Sequence, residues 1–162
     1  MNIRKVDPAA DAAQIASIYN RYIVNTTVSF ETEPLTVEQM RRRVVDIARS
    51  YPYYVCEKEG RVVGYAYAHL WKERASYCNT LETTIYLDEA RRHEGIGMSL
   101  MEHVIRECRK RGFKVLIACV TGENKDSIAF HKKIGFVEAS HFHNVGEKFG
   151  RLLDVIDLEY QL

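Results

Sequence analysis

The sequence predicts a mixed α/β domain, and three observations carry that prediction. Stretches that alternate apolar and polar residues, such as Tyr53 to Trp71 and Cys78 to Leu87, read as strands. Between them lie stretches whose apolar residues recur at helical steps, such as Leu100, Met101, Val104, Ile105 and Cys108. A glycine-bearing turn, Arg92-His93-Glu94-Gly95-Ile96-Gly97, joins one of the strands to one of the helices. The chain has 162 residues and no internal repeat, low-complexity tract or linker, so residues 1–162 are expected to form one domain.

Residues 2–6 suit a short opening strand. Asp7-Pro8 starts a helix whose apolar face carries Ile15, Ile18, Tyr19 and Tyr22. Asn25 to Pro34 follows neither period clearly, and its Phe30-Glu31 pair is placed either to line a site or to pack. Thr36 and Gln39 match a capping box, which predicts a second helix from about Val37 to Ser50. Tyr54-Val55-Cys56, a Glu59-Gly60 turn and Val62 to Tyr67 form a hairpin. In the next strand, roughly Cys78 to Leu87, Glu82, Thr84 and Tyr86 share one face, and Leu81, Thr83, Ile85 and Leu87 the other. An acid inside a strand is unusual, so Glu82 reads as a functional group or as an edge-facing, salt-bridged one. After the glycine turn come a helix ending near Gly112, a buried strand from Val115 to Val120 and a short helix from Asn124 to Ile134 closed by Gly135. Phe136 and Leu152 to Leu158 mark the last two strands.

Composition narrows the function classes. Hydrophobic residues make up 46% and charged residues 28%, and no segment approaches the roughly 18 consecutive apolar residues of a membrane span. The first residues, with Asp7, Asp11 and Gln14 among them, lack the pattern of a signal peptide, so a cytoplasmic location is expected. Cys56, Cys78, Cys108 and Cys119 form no C-x-x-C pair and no disulfide framework, and read as reduced thiols. A net charge of +1 argues against nucleic acid or an anionic membrane as partner. Arg41-Arg42-Arg43 and Arg109-Lys110-Arg111 sit on predicted helices near Glu38, Asp46 and Glu107, and read as solvated faces. His141-Phe142-His143 sets two imidazoles on one strand face, but the sequence places no third ligand beside them and no metal is expected.

The turn from Arg92 to Gly97 has the chemistry of a phosphate site. A strand-to-helix junction points backbone amides and the positive helix end into one space, and glycines permit close approach. Taken alone, two glycines also serve plain turn geometry; the spacing R-x-x-G-x-G is too short for a P-loop and lacks its Gly-Lys-Ser/Thr ending. Preceded by Thr84-Ile85-Tyr86-Leu87, it resembles the acyl-CoA-binding motif of the GNAT superfamily. Asn124-x-x-Ser127 followed by Ile134-Gly135-Phe136 resembles that superfamily's second motif, one helix and one strand later. Within the superfamily the chain resembles the phosphinothricin and methionine sulfone/sulfoximine N-acetyltransferases. That resemblance rests on Ile18-Tyr19-Asn20, Ser29-Phe30-Glu31-Thr32, Gly64-Tyr65-Ala66, Trp71-Lys72-x-Arg74-x-x-Tyr77, Glu82, His131 and Val145-Gly146-x-Lys148-Phe149-Gly150. Leu152 departs from the aromatic residue usual after Gly150-Arg151.

The resemblance implies the GNAT fold, a mixed and mostly antiparallel sheet flanked by helices, with acetyl-CoA held where two strands splay. It assigns cofactor contacts to Ile85, Tyr86 and Leu87, to Arg92, His93, Glu94, Gly95, Ile96 and Gly97, and to Asn124 and Ser127. Ile85 and Leu87 are expected to act through backbone groups, like an added strand. It also implies a homodimer in which a neighbour's loop helps close the substrate pocket.

Acetyl transfer needs a deprotonated amine, donors for developing charge and a proton for the leaving thiolate. Glu82 is the candidate to bind the substrate ammonium and relay its proton. His131 stands where many GNAT enzymes carry a tyrosine and the phosphinothricin branch a histidine, and it is the second candidate for proton transfer. Arg74 and Tyr77 are the candidates to hold substrate oxyanions, with Thr83, Thr84, Phe30, Lys72 and Lys148 as further substrate-binding positions. For Phe30, Lys72 and Lys148 the competing reading is surface charge and loop packing. No cysteine lies in an activating motif, so direct attack in a ternary complex is expected. Two rival functions stand beside this one: acetylation of a protein or peptide amine, and a non-catalytic acyl-CoA sensor.

Overall fold

The computed structural model describes residues 1–162. A seven-stranded sheet runs through them: β1 (Asn2–Lys5), β2 (Tyr53–Lys58), β3 (Arg61–Leu70), β4 (Thr80–Leu87), β5 (Val115–Thr121), β6 (Val137–Lys148) and β7 (Arg151–Gln161), in the order β1-β2-β3-β4-β5-β7-β6. All neighbours are antiparallel except β4 and β5, which are parallel. Helices α1 (Pro8–Asn25), α2 (Val37–Ser50), α3 (Ile96–Lys110) and α4 (Lys125–Ile134) flank it.

Local chemistry sets the element ends. Asp7 caps α1 by accepting from the Ala9 and Ala10 amides, with Pro8 in the first turn where no donor is lost. The capping box is present in both directions: Gln39 N donates to Thr36 Oγ1 at 3.1 Å, and Thr36 N to Gln39 Oε1 at 2.8 Å. Helix α2 accordingly has the bounds the sequence predicts. Gly135, at φ 114, ends α4 in the left-handed conformation that a side chain would oppose.

One ion pair joins α1 to the sheet. Arg4 forks onto Asp11, Nη1 to Oδ2 at 2.8 Å and Nη2 to Oδ1 at 2.9 Å, while Asp7 N donates to Oδ2 at 2.8 Å. Asp11 is only 1% exposed. Burial alone would raise its pKa, but the Arg4 guanidinium and the Asp7 amide outweigh burial and hold the carboxyl below its ordinary value.

The sheet separates two apolar layers. Leu100, Met101 and Val104 of α3 pack on Ala66, Leu81, Leu116 and Ile156 on one side; Ile15, Tyr19 and Ile23 of α1 pack with Met40, Val55 and Tyr65 on the other. Strand β4 follows the predicted alternation: Leu81, Ile85 and Leu87 meet the α3 layer and Tyr86 the α1 layer.

Three boundaries differ from the sequence reading. Strand β4 begins at Thr80 because Ala75–Tyr77 coil into a 3-10 turn, closed by Cys78 N donating to Ala75 O at 3.1 Å. Trp71 falls just beyond β3. Strand β6 runs on through His141 and Asn144 to Lys148, then returns into β7 through Phe149 (φ 52) and Gly150 (φ 69). It is exposed along most of its length, so it lacks the alternation by which half-buried strands announce themselves.

The parallel seam positions the site. Strands β4 and β5 pair only at Thr80↔Val115, Leu81↔Leu116 and Glu82↔Ile117. Beyond Glu82, β4 continues to Leu87 and β5 to Thr121 without pairing, so the two strands part.

Candidate active site

Where the strands part lies a cleft of about 490 Å³. From the predicted positions it gathers Glu82, Thr83, Thr84, Ile85 and Tyr86 of β4, Asn124, Ser127 and His131 of the α4 segment, and Phe30 of the loop after α1.

Glu82 occupies the last paired rung of the seam, with Ile117 on one side and His69 of β3 on the other. Its side chain keeps 30% exposure, and His69 Nε2 stands 3.9 Å from Oε1. Burial raises the Glu82 pKa, His69 pulls it part of the way back, and Asp157 adds to the rise. The Nδ1 of His69 is 2.9 Å from the carbonyl of Leu70. A carbonyl only accepts, so Nδ1 carries a hydrogen and Nε2 is the nitrogen turned toward Glu82.

Beyond Glu82 the β4 backbone faces the opening. Asp88 N donates to Val63 O of β3 at 2.8 Å, and strand alternation then directs the N–H and C=O of Ile85 and Leu87 away from β3. Ile85 offers both groups. The carbonyl of Leu87 is already taken, because the Tyr22 hydroxyl donates to it at 2.6 Å; only its N–H is left for a ligand.

The turn that follows is shaped as an anion cradle. His93 (φ 66) and Gly95 (φ 79) are left-handed, α3 has no side-chain cap, and its first backbone bond is Ser99 N to Gly95 O at 3.1 Å. The amides of Ile96, Gly97 and Met98 therefore stand at the positive helix end without helical acceptors. Gly97 is closely packed: a Cβ there would lie 3.3 Å from Phe130 and 3.4 Å from Leu87, so those side chains would have to give by a few tenths of an ångström. Arg92 is held by the Tyr22 hydroxyl at 3.2 Å, and Glu94 by Lys58 at 2.6 Å. The orphan amides and the unpaired β4 backbone offer the hydrogen-bond donors and acceptors that a pantetheine chain with a pyrophosphate at its end would need.

On the far wall, Asn124 caps α4 by accepting from Ser127 N at 3.2 Å. His131 is 3% exposed and lies between Phe130 and Phe136, with Nδ1 2.8 Å from Ser127 O. Burial lowers its pKa against the opposing Ser127 bond, which keeps the ring neutral with its proton on Nδ1. Its free Nε2 is an acceptor.

Lys72, Arg74, Tyr77 and Lys148 do not line this cleft. Lys72 Nζ lies 3.9 Å from the Trp71 ring centre, and Trp71 packs edge-on against Tyr77. This cluster and the exposed Arg74 stand on the β3–β4 connection, which leaves the sheet one rung beyond His69 and Glu82, at Leu70↔Leu81. Lys148 is buried and donates its ammonium to the carbonyl of Ser29, and burial lowers its pKa. It braces the Ser29–Phe30 wall, where Phe30 packs over Gly146.

Sequence reasoning missed His69, the Tyr19 and Tyr67 walls, and the part played by Glu31. Arg43 donates to Glu31 Oε1 at 2.6 Å, and Oε2 is buried with no partner, a free acceptor beside the cleft. Only the pairing register reveals His69; Tyr19 already stood out on the helix face.

The acetyltransferase (GNAT) domain family matches residues 3–156. The L-methionine sulfoximine/L-methionine sulfone acetyltransferase of Salmonella typhimurium is 34% identical, covering 100% of this chain and 95% of that one. A phosphinothricin acetyltransferase from Sinorhizobium meliloti, solved in complex with acetyl-CoA, superposes with a TM-score of 0.95 at 33% identity, covering 99% of this chain and 88% of the other. A ribosomal-protein-alanine N-acetyltransferase from Brucella melitensis superposes with a TM-score of 0.96 at 32% identity, covering 100% of both chains. The chain belongs to the GNAT acetyltransferase family, whose cosubstrate is acetyl-CoA.

Proposed function

We propose that this protein is an N-acetyltransferase that moves the acetyl group of acetyl-CoA to the α-amine of a small, anionic amino acid of the phosphinothricin or methionine sulfoximine/sulfone type. One observation carries the reading: Glu82 stands at the fork of the seam, directly ahead of the unpaired backbone of Ile85 and the bare amides of α3.

Ile85, Leu87 N–H, the amides from Ile96 to Met98 and Asn124 would hold the cosubstrate. When bound, acetyl-CoA supplies an acetyl group activated as a thioester. Glu82 binds the substrate ammonium as an ion pair and draws off one proton, directly or through water. Its burial-raised pKa brings it closer to the amine's task than an exposed glutamate would be. His69 Nε2 is placed to receive that proton in turn and leave Glu82 charged. His131, neutral with a bare Nε2, is suited to order water or accept a hydrogen bond at the far wall rather than to donate a proton. Direct attack is supported by Cys119: its thiol opens to the cleft, yet the surrounding protein, Asp157 and Glu82 push its pKa up to about 12.

The cleft lining contains no lysine or arginine, so Arg74 and Tyr77 on the neighbouring connection are the groups proposed to meet the substrate's anionic end. A homodimer fits this arrangement. Phe142, Val145, Phe149 and Leu152 leave an exposed apolar row on the β6–β7 hairpin. The four free cysteines suit a reducing, cytoplasmic setting, and no helix is long and apolar enough to cross a membrane.

The likeness to the Brucella enzyme supports a second reading, acetylation of a peptide amino terminus. Thiol release from acetyl-CoA, measured with phosphinothricin, methionine sulfoximine, methionine sulfone, ordinary amino acids and an alanine-terminated peptide, separates the two. The leading reading expects turnover with the small amines. Turnover with the peptide alone replaces it with the second, and binding without thiol release from any amine leaves a sensor.

A further inference from the structure

The sequence leaves His141 and His143 with no third partner, but the fold supplies one. Strand β7 returns beside β6, and Asp154 lies opposite the bulge between Phe142 and Gly146, where Asn144 turns left-handed at φ 56. Asp154 Oδ2 is 2.8 Å from His141 Nε2 and 3.1 Å from His143 Nδ1, and the three ligand atoms lie within 4.8 Å of one another. We propose that His141, His143 and Asp154 form a binding site for a divalent transition-metal ion, zinc in the first instance, outside the acetyl-transfer cleft.

Geometry and chemistry both support this. Metal–ligand bonds of about 2.0–2.1 Å in a tetrahedron put neighbouring ligand atoms roughly 3.3 Å apart, so two of the three edges need only a few tenths of an ångström of adjustment. The carboxylate is already oriented: Asn144 N donates to Oδ1 at 2.9 Å, which leaves Oδ2 for the ion, and Gly122 N donates to the Asp154 carbonyl at 2.8 Å. Such supporting bonds are what fix a ligand's direction in metal sites. The imidazole rings are 4.2 Å apart, where two protonated rings would repel, whereas one divalent ion satisfies both nitrogens and the carboxylate together. Two imidazoles and a carboxylate suit zinc, with nickel, copper and cobalt as competitors of the same chemistry. The sequence alone offered no third ligand, because Asp154 is brought in only by the return of β7.

Calorimetry on tag-free, full-length protein titrated with zinc chloride tests the proposal. One ion per chain is expected, with binding weakened at least tenfold in His143→Ala and in Asp154→Asn, and unchanged in Cys78→Ser/Cys119→Ser. His143 is 70% exposed, so its removal leaves the fold intact even if Asp154→Asn does not fold. Absence of zinc uptake by the wild-type protein, or undiminished uptake by His143→Ala, overturns the site. Neither result bears on acetyl transfer, which is read out separately by thiol release.

Discussion

His69 and Glu82 face each other across the β3–β4 ladder, a histidine nitrogen 3.9 Å from a carboxylate oxygen at the point where the sheet begins to open. Because His69 lowers the pKa that burial raises, the pair sets the pH at which Glu82 becomes able to accept a proton. The acid limb of the kcat/KM profile should lie above the ordinary glutamate value of about 4.3. Substituting His69→Gln removes the imidazole whose interaction favours the carboxylate, so the limb should move to higher pH. An acid limb in the same place would remove His69 from this role.

Glu82→Gln keeps the shape of the side chain and deletes its basicity. Turnover at neutral pH should fall about 10²- to 10⁴-fold, the usual worth of a positioned acid or base, while calorimetric affinity for acetyl-CoA stays near normal. Undiminished turnover would take Glu82 out of the mechanism.

Arg74→Ala tests how the substrate's anion is held. If Arg74 acts as a binding group, the Michaelis constant for the amino acid should rise about tenfold or more with a smaller effect on kcat. A loss confined to kcat would instead assign it to the transition state, and no change in either would leave it a surface residue.

The Arg4–Asp11 pair makes a prediction about stability. The Asp11 pKa is lower in the folded state than in the unfolded chain, so its contribution is complete above the unfolded value of about 3.9 and is lost as pH falls through the depressed folded value. Asp11 is buried, but Arg4 is 32% exposed and keeps Glu57 as a partner, so Asp11→Asn should cost about 1–3 kcal/mol at neutral pH in urea unfolding. Its stability should also fall less steeply than that of the wild type in acid; parallel curves would contradict the assignment.

Much of this was legible before folding. The capping box fixed α2, and Gly95, Gly97 and the Asn124 cap marked the start of α3 and of α4, the two helix ends proposed to meet acyl-CoA, because such features are local and need few neighbours. What the sequence hid is non-local. His69 becomes significant only when register sets it opposite Glu82; Leu87 loses its carbonyl to Tyr22, 65 positions earlier; and Asp154 reaches two histidines only across a hairpin. Strand β6 escaped its full length because exposure on both faces erased the pattern that reveals strands.

The seam between β4 and β5 has a mechanical consequence. Three rungs join four strands to the other three, and of the two apolar layers only the one beneath α3 crosses that line. A ligand that bonds as a strand would work as a clasp, and at a concentration a hundredfold above its Kd linkage adds about 2.7 kcal/mol to the folded form. Saturation would slow amide exchange on both banks at once, adding a second tie beside the core layer that already spans the seam.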